Sequence, residues 1–219
     1  MNAIGFLLWV LPILFALTIH EYSHGWVAYK LKDPTAKLAG RLTLNPIKHL
    51  DPIGTIALFL FHFGWAKPVP VNPYNFTNPR KDMLWVGLAG PGANILGALG
   101  FGIVYRIFNL IPVEEIRFLQ PIYIMVIYSV LINLILAFFN FIPIPPLDGS
   151  KILKGILPAN YASWYSIIEQ FGSFLLIGLI FVSLMIERAT GISLIWGVIS
   201  PFIRFFSWVF TGKDLLHLI

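Results

Sequence analysis

The sequence predicts an all-α polytopic membrane protein: a bundle of about five to six transmembrane or re-entrant helices with short β-hairpin elements. Three observations predict it. Of 219 residues, 58% are hydrophobic and only 11% charged, and the mean hydropathy is +0.80, far too apolar for a soluble domain of this size. The apolar residues fall into long runs separated by connections rich in Pro, Gly and Lys. On either side of the short apolar run at 55–65, "RLTLN" and "KPVPV" alternate apolar and polar or proline residues, as short edge strands do. We read one membrane-embedded domain over 1–219, with a core at about 1–157 and a helical hairpin at about 165–211.

The first span runs from about Ala3 to Ala28. It lacks the basic start and small-residue cleavage site of a signal peptide, so it is expected to remain in the mature protein. "TIALFLFHFGW" is about half a membrane long, a re-entrant or short helix unless Leu50 to Pro52 extend it. "AKPVPVNPYNFTNPRKD" carries too many prolines for a helix and belongs at the membrane surface or in a protein-lined cavity. Two long spans follow, near Met83–Ile111 and Ile122–Ile142, joined by a segment containing paired glutamates. A short helix near Ser150–Leu157 precedes a last apolar pair, near Ile168–Ile186 and Ile192–Phe210. The final member, with Pro201 and Arg204, either spans or lies at the interface.

Charge gives the orientation and excludes some functions. Lys30, Lys32, Lys37, Arg41, Lys48, Lys67, Arg80, Lys81, Lys151, Lys154 and Lys213 fall on connections assigned to one face, which the positive-inside rule makes cytoplasmic. Arg117 and Arg188 fall on the other. The net charge of +5 is scattered and forms no patch with interleaved aromatics, which argues against nucleic acid as a partner. With no cysteine, disulfide and thiolate chemistry are excluded, and a metal site has nitrogen and oxygen ligands only.

The chemistry concentrates in "HEYSH", His20 to His24, inside the first span. On a helix, residues four apart share a face, so both imidazoles can hold one metal ion. Glu21 is rotated about 100° from His20. That keeps it out of the ligand set yet within reach of an attacking water, where a general base acts. Histidines snorkelling at a membrane boundary are the plainer reading, but three ionisable residues in five, inside a span, point to function. A catalytic zinc takes three protein ligands. Candidates for the third are His49, His62, His217 and Asp148. His217 lies near the C-terminus, and His62 sits in an aromatic run that suggests packing. Asp148 reads either as the N-cap of the helix near Gly149 or as a ligand, beside backbone broken by the "PIPP" prolines.

"HEYSH" followed far downstream by "NFIPIPPLDG" resembles the site-2 protease family of intramembrane zinc metalloproteases. The likeness extends to "LNPIKHLDPIG", "GWAKPVPVNP" and "AGPGAN", in the family's order, over roughly the first 155 residues; the small size matches the compact branch without a PDZ domain. The resemblance implies one catalytic Zn2+ held by His20, His24 and Asp148, with Glu21 as general base. It implies substrates that are membrane proteins with transmembrane helices, cut in or near those helices within the lipid bilayer. It also implies a multi-pass protein of the cell membrane whose active site is reached from the cytoplasmic side. Four further residues are candidate substrate contacts. Asn140 reads as an interhelical hydrogen bond or as a donor to the substrate carbonyl; the resemblance favours the second. Asn45 and His49 support the proline-rich hairpin or touch an unwound substrate that adds to it as a strand. Asn94, with Gly90 and Gly92 in "GPGAN", reads as helix packing or as part of the site. Asp51 is expected to cap the next helix. The competing class is a non-enzymatic metal-binding membrane protein or divalent-metal permease, with an inactive helix-binding scaffold third. Oligomeric state leaves no signature in the sequence.

Overall fold

The computed structural model describes residues 3–61, 64–111 and 116–218. The readings of His62 and of the paired glutamates Glu114 and Glu115 fall outside them. The helices are α1 (Ala3–Lys30), α2 (Thr35–Leu38), α3 (Pro52–Phe61), α4 (Pro79–Phe108), α5 (Gln120–Asn140), α6 (Asp148–Ile156), α7 (Ala159–Glu169), α8 (Gly172–Thr190) and α9 (Leu194–Thr211). Among the described residues, α1, α4, α5, α8 and α9 are long and apolar enough to cross a membrane. The segment near 192–210, open on sequence, therefore has the length of a span. At 10 residues, α3 reaches about 15 Å, roughly half a hydrocarbon core.

Local chemistry sets the boundaries. At the end of α1, Lys32 adopts a left-handed conformation (φ 76°) and the Asp33 amide returns to Ala28 O (2.9 Å), closing the helix. Asp33, fully buried, then gathers the chain: it accepts from Thr35, from the Asn72 amide (2.8 Å) and from Asn75 Nδ2 (2.6 Å). Burial pushes its carboxyl up, but these hydrogen bonds outweigh burial and hold it below its ordinary value. The start of α4 is fixed by Pro79 in the first turn and by Asn78, whose side chain accepts from the Lys81 amide while its own amide donates to Asp82 (2.9 Å). As expected, Asp51 caps α3, accepting from the Gly54 amide (2.8 Å).

The core forms where α4, α5 and α9 meet, around the buried side chains of Tyr105, Leu131, Leu134 and Ile203. A smaller cluster of Ala28, Phe76 and Val86 ties α1 to the start of α4. The molecule differs from the sequence reading in three respects. The short β-hairpins reduce, among the described residues, to one antiparallel bridge, Leu50–Ala66, because Pro68 and Pro70 supply no amide donor. α7 separates the short helix from the final pair, an element hidden because its sequence carries no continuous apolar run. Lys213 leaves the basic face: Arg106, near the end of α4, donates to Val209 O and Phe210 O (both 2.7 Å), so the end of α9 lies opposite the α4 start that carries Arg80.

Candidate metal centre and active site

His20 and His24, one turn apart on α1, bring their rings to a centroid separation of 4.7 Å. Asp148, 128 residues from His20, is the first residue of α6. Leu147, rather than Asp148, occupies the N-cap position, and the carboxylate turns toward the imidazoles instead of capping its own helix. Asp148 Oδ2 lies 3.0 Å from His20 Nε2 and 3.0 Å from His24 Nε2, and all three side chains are buried.

The second ring nitrogens determine what this cluster can bind. His20 Nδ1 donates to Asn94 Oδ1 (2.6 Å) and His24 Nδ1 to the Val86 carbonyl (2.7 Å). Oxygen can only accept here, so each Nδ1 carries the proton and each Nε2 of the neutral ring presents a lone pair. Two imidazole lone pairs and a carboxylate oxygen thus converge on one point, an arrangement that calls for a cation. Two nitrogens and one oxygen form the donor set of a catalytic zinc, and the outer hydrogen bonds are those that orient metal-ligating histidines.

α4 is the partner surface. A Cβ built on Gly90 would meet both imidazoles, 2.7 Å from His20 Cε1, so only glycine lets α4 approach so closely. Four residues on, Asn94 is fully buried. Its amide donates to Ala16 O (3.0 Å) and to Asn133 Oδ1 (2.9 Å), and Asn133 donates in turn to Ser129 O (2.7 Å). Asn94, expected as a substrate contact, therefore has no face open to substrate; it holds His20. Gly92, by contrast, faces open space.

A cavity of about 300 Å³ opens on His20, His24 and Asp148, lined also by Glu21, Val69, Asn140, Pro146 and Lys151. Glu21 Oε2 accepts from the Val69 amide (2.8 Å), the one donor in Pro68-Val69-Pro70. Asn140 lines the cavity and donates one amide hydrogen to Leu136 O (2.9 Å). Lys151 Nζ donates to Asp148 Oδ1 (2.8 Å), the carboxylate oxygen turned away from the histidines. Asn45 and His49 are not brought to this cavity. Asn45 caps a 3-10 turn at Pro46–His49, and buried His49 donates from Nε2 to Thr43 O (2.7 Å), because both shape the bend before α3. His217 lies in a terminal 3-10 turn and takes no part in the metal cluster. Sequence reasoning missed Asn133, the Val69 amide and Lys151. Asn133 was visible as a polar residue inside an apolar run; a backbone amide leaves no signal.

Comparison with known proteins fits this geometry. Residues 113–182 match the model of peptidase family M50, a stretch that includes Asp148. YwhC of Bacillus subtilis, named for an expected zinc metalloprotease activity, is 40% identical over 164 residues, 74% of this chain and 75% of its own length. The chain belongs to peptidase family M50. Within the M50 family it is similar also to Rip2 of Mycolicibacterium smegmatis (26% over 190 residues, 84% of this chain and 70% of Rip2). Zinc metalloprotease MJ0392 of Methanocaldococcus jannaschii is 26% identical over 160 residues, covering 73% of this chain and 37% of that protein. No solved structure matches the chain. M50 peptidases are the site-2 proteases that the motifs resemble: this chain is a multi-pass intramembrane zinc metalloprotease.

Proposed function

We propose that His20, His24 and Asp148 hold the zinc ion and that Glu21 is the general base in hydrolysis of peptide bonds in or near transmembrane segments of membrane proteins. The convergence of two Nε2 atoms and one carboxylate oxygen, with both Nδ1 protons committed elsewhere, carries this reading. Zinc, when bound, acidifies water and polarises a carbonyl. Glu21 takes the proton from the attacking water and later delivers it to the departing amine. The Val69 amide keeps its carboxylate aimed into the cavity. Asn140 has a second amide hydrogen to offer the substrate carbonyl as negative charge develops. Lys151 and Asn94 orient Asp148 and His20 through their hydrogen bonds.

Substrate and water approach from the cytoplasmic face in this reading. Its support is the basic set at the α1 end and α4 start, which persists without Lys213, and the position of the ligands toward that end of α1. An apolar groove of about 410 Å³ between α1 and α5, walled by Ile13, Leu17, Ile132 and Leu136, suits a substrate helix arriving from lipid. Strand addition to 66–71 uses the groups left over in that segment, since the amides of Lys67 and Val69 are already bonded and Pro68 and Pro70 have none. Catalysis rests on the core at about 1–157, with the hairpin at about 165–211 as its flank. The test is Glu21→Gln: turnover of a transmembrane peptide should fall by about 10²-fold or more with zinc content unchanged. Retained turnover would defeat the mechanism, and metal flux surviving the substitution would favour a permease.

A further inference from the structure

The catalytic cavity has a neighbour on the α6 side of Asp148. A second cavity of about 610 Å³ adjoins it, and Met83, Pro146 and Lys151 line both. That volume is ordinary for a ligand site. Prolines of the 3-10 turn at 73–75, of the α4 start and of the "PIPP" segment give it apolar walls. Its charged residues are Arg80, Lys151, Lys154 and Glu169.

These charges do not cancel. Glu169 pairs with Lys154, and Lys151 is turned toward Asp148 Oδ1 in the neighbouring cavity. Arg80 donates through Nε to Lys154 O (3.0 Å), which anchors its side chain. Its two terminal nitrogens have no protein partner among the described residues, leaving a fork that matches a carboxylate. Arg80 is half-buried, so its field is less screened than that of a surface cation.

We propose that this cavity is a substrate subsite: it receives the polypeptide on one side of the scissile bond, and Arg80 selects an acidic side chain there. The inference rests on the catalytic reading above. A polypeptide is the occupant because the cavity abuts the site of hydrolysis and shares three wall residues with it, where a chain running past the metal would lie. The apolar walls suit neighbouring side chains, and the unmatched guanidinium sets the preference for charge.

The test uses the full zinc-loaded chain in zwitterionic bicelles. Its substrates are transmembrane peptides carrying Asp, Asn or Lys at successive positions on either side of the cleaved bond. Glu21→Gln supplies the background, and products are read by mass spectrometry. Asp should exceed Lys in kcat/KM by about 10-fold at one or two adjacent positions on one side only. Arg80→Gln should bring that ratio close to one, and Arg80→Glu should invert it. A merely structural defect would slow all peptides alike and leave the ratio standing, which would overturn the assignment. So would a wild-type chain indifferent to peptide charge, a result that needs no folded variant. If Arg80 matters only when phosphatidylglycerol is added, equally for every peptide, the cavity holds a lipid headgroup and the proposal falls. No cleavage of any peptide above background defeats the catalytic reading itself, a distinguishable failure.

Discussion

α4 and α8 both read as membrane spans, yet they do opposite work. α8 has the higher mean hydropathy, 1.8 against 1.4. Nevertheless 39% of the most apolar window of α4 is buried in protein and only 11% of that of α8. Small and polar residues lower the hydropathy of α4, and the same residues let it approach α1 and bond across helices. Leu, Ile and Phe raise that of α8 and leave it facing outward, with Phe174, Ile177 and Phe181 exposed. Hydropathy alone does not sort the two roles, since α5 is the most apolar span at 2.5 and also the most buried at 44%; the small and polar residues of α4 are what mark it as a helix that builds the site.

Matched glycine substitutions should break or sharpen that contrast. Gly90→Ala on α4 drives a methyl group into both imidazoles and should remove most bound zinc, and with it most activity, as metal analysis and peptide cleavage would show. If zinc content stays at the wild-type level, the close approach of α4 is not required. Next in size, Val69→Pro deletes the amide held by Glu21 while keeping the extended backbone that neighbouring prolines already impose. kcat should fall by about 10²-fold with KM and zinc content little changed, and Val69→Ala, which keeps the amide, should stay near wild type. A change in KM alone would make this segment a substrate contact rather than a support for the base. Asn94→Ala should weaken zinc binding by about 10-fold to 100-fold in a chelator competition, with Asn133→Ala smaller, because Asn133 reaches His20 only through Asn94.

Asp33 lies outside the spans and gives a pH test. Its carboxyl is held below its ordinary value, so its stabilising contribution is present above that value, near pH 4, and disappears as pH falls through the lower folded value. Thermal stability of the wild type should therefore drop on acidification in that range, and Asp33→Asn, less stable at neutral pH, should show a flatter profile. Parallel profiles would remove the carboxylate from the account. The smallest effect belongs to α8: at Gly178 a Cβ meets nothing within 4 Å, so Gly178→Ala should change stability by less than about 1 kcal/mol and leave zinc untouched.

The division between sequence and structure follows from the range of the interactions. The histidine pair and Glu21 were legible because four-residue spacing on one helix is a local property. The spans, the half-length of α3 and the Asp51 cap were local in the same sense. Asp148 could be named on sequence only with two readings open, N-cap or ligand; the structure turns it away from its own helix and toward His20 and His24. Asn94 was visible, but its role was not, since only the crossing of α1, α4 and α5 shows that it bonds to His20 and Asn133 and is closed to substrate. The sequence by itself determined the solvent, the metal chemistry and the family. Tertiary structure alone decided which carboxylate oxygen meets the imidazoles, which amide holds the base and which arginine is left unmatched beside the site, because each depends on contacts between residues far apart in the chain.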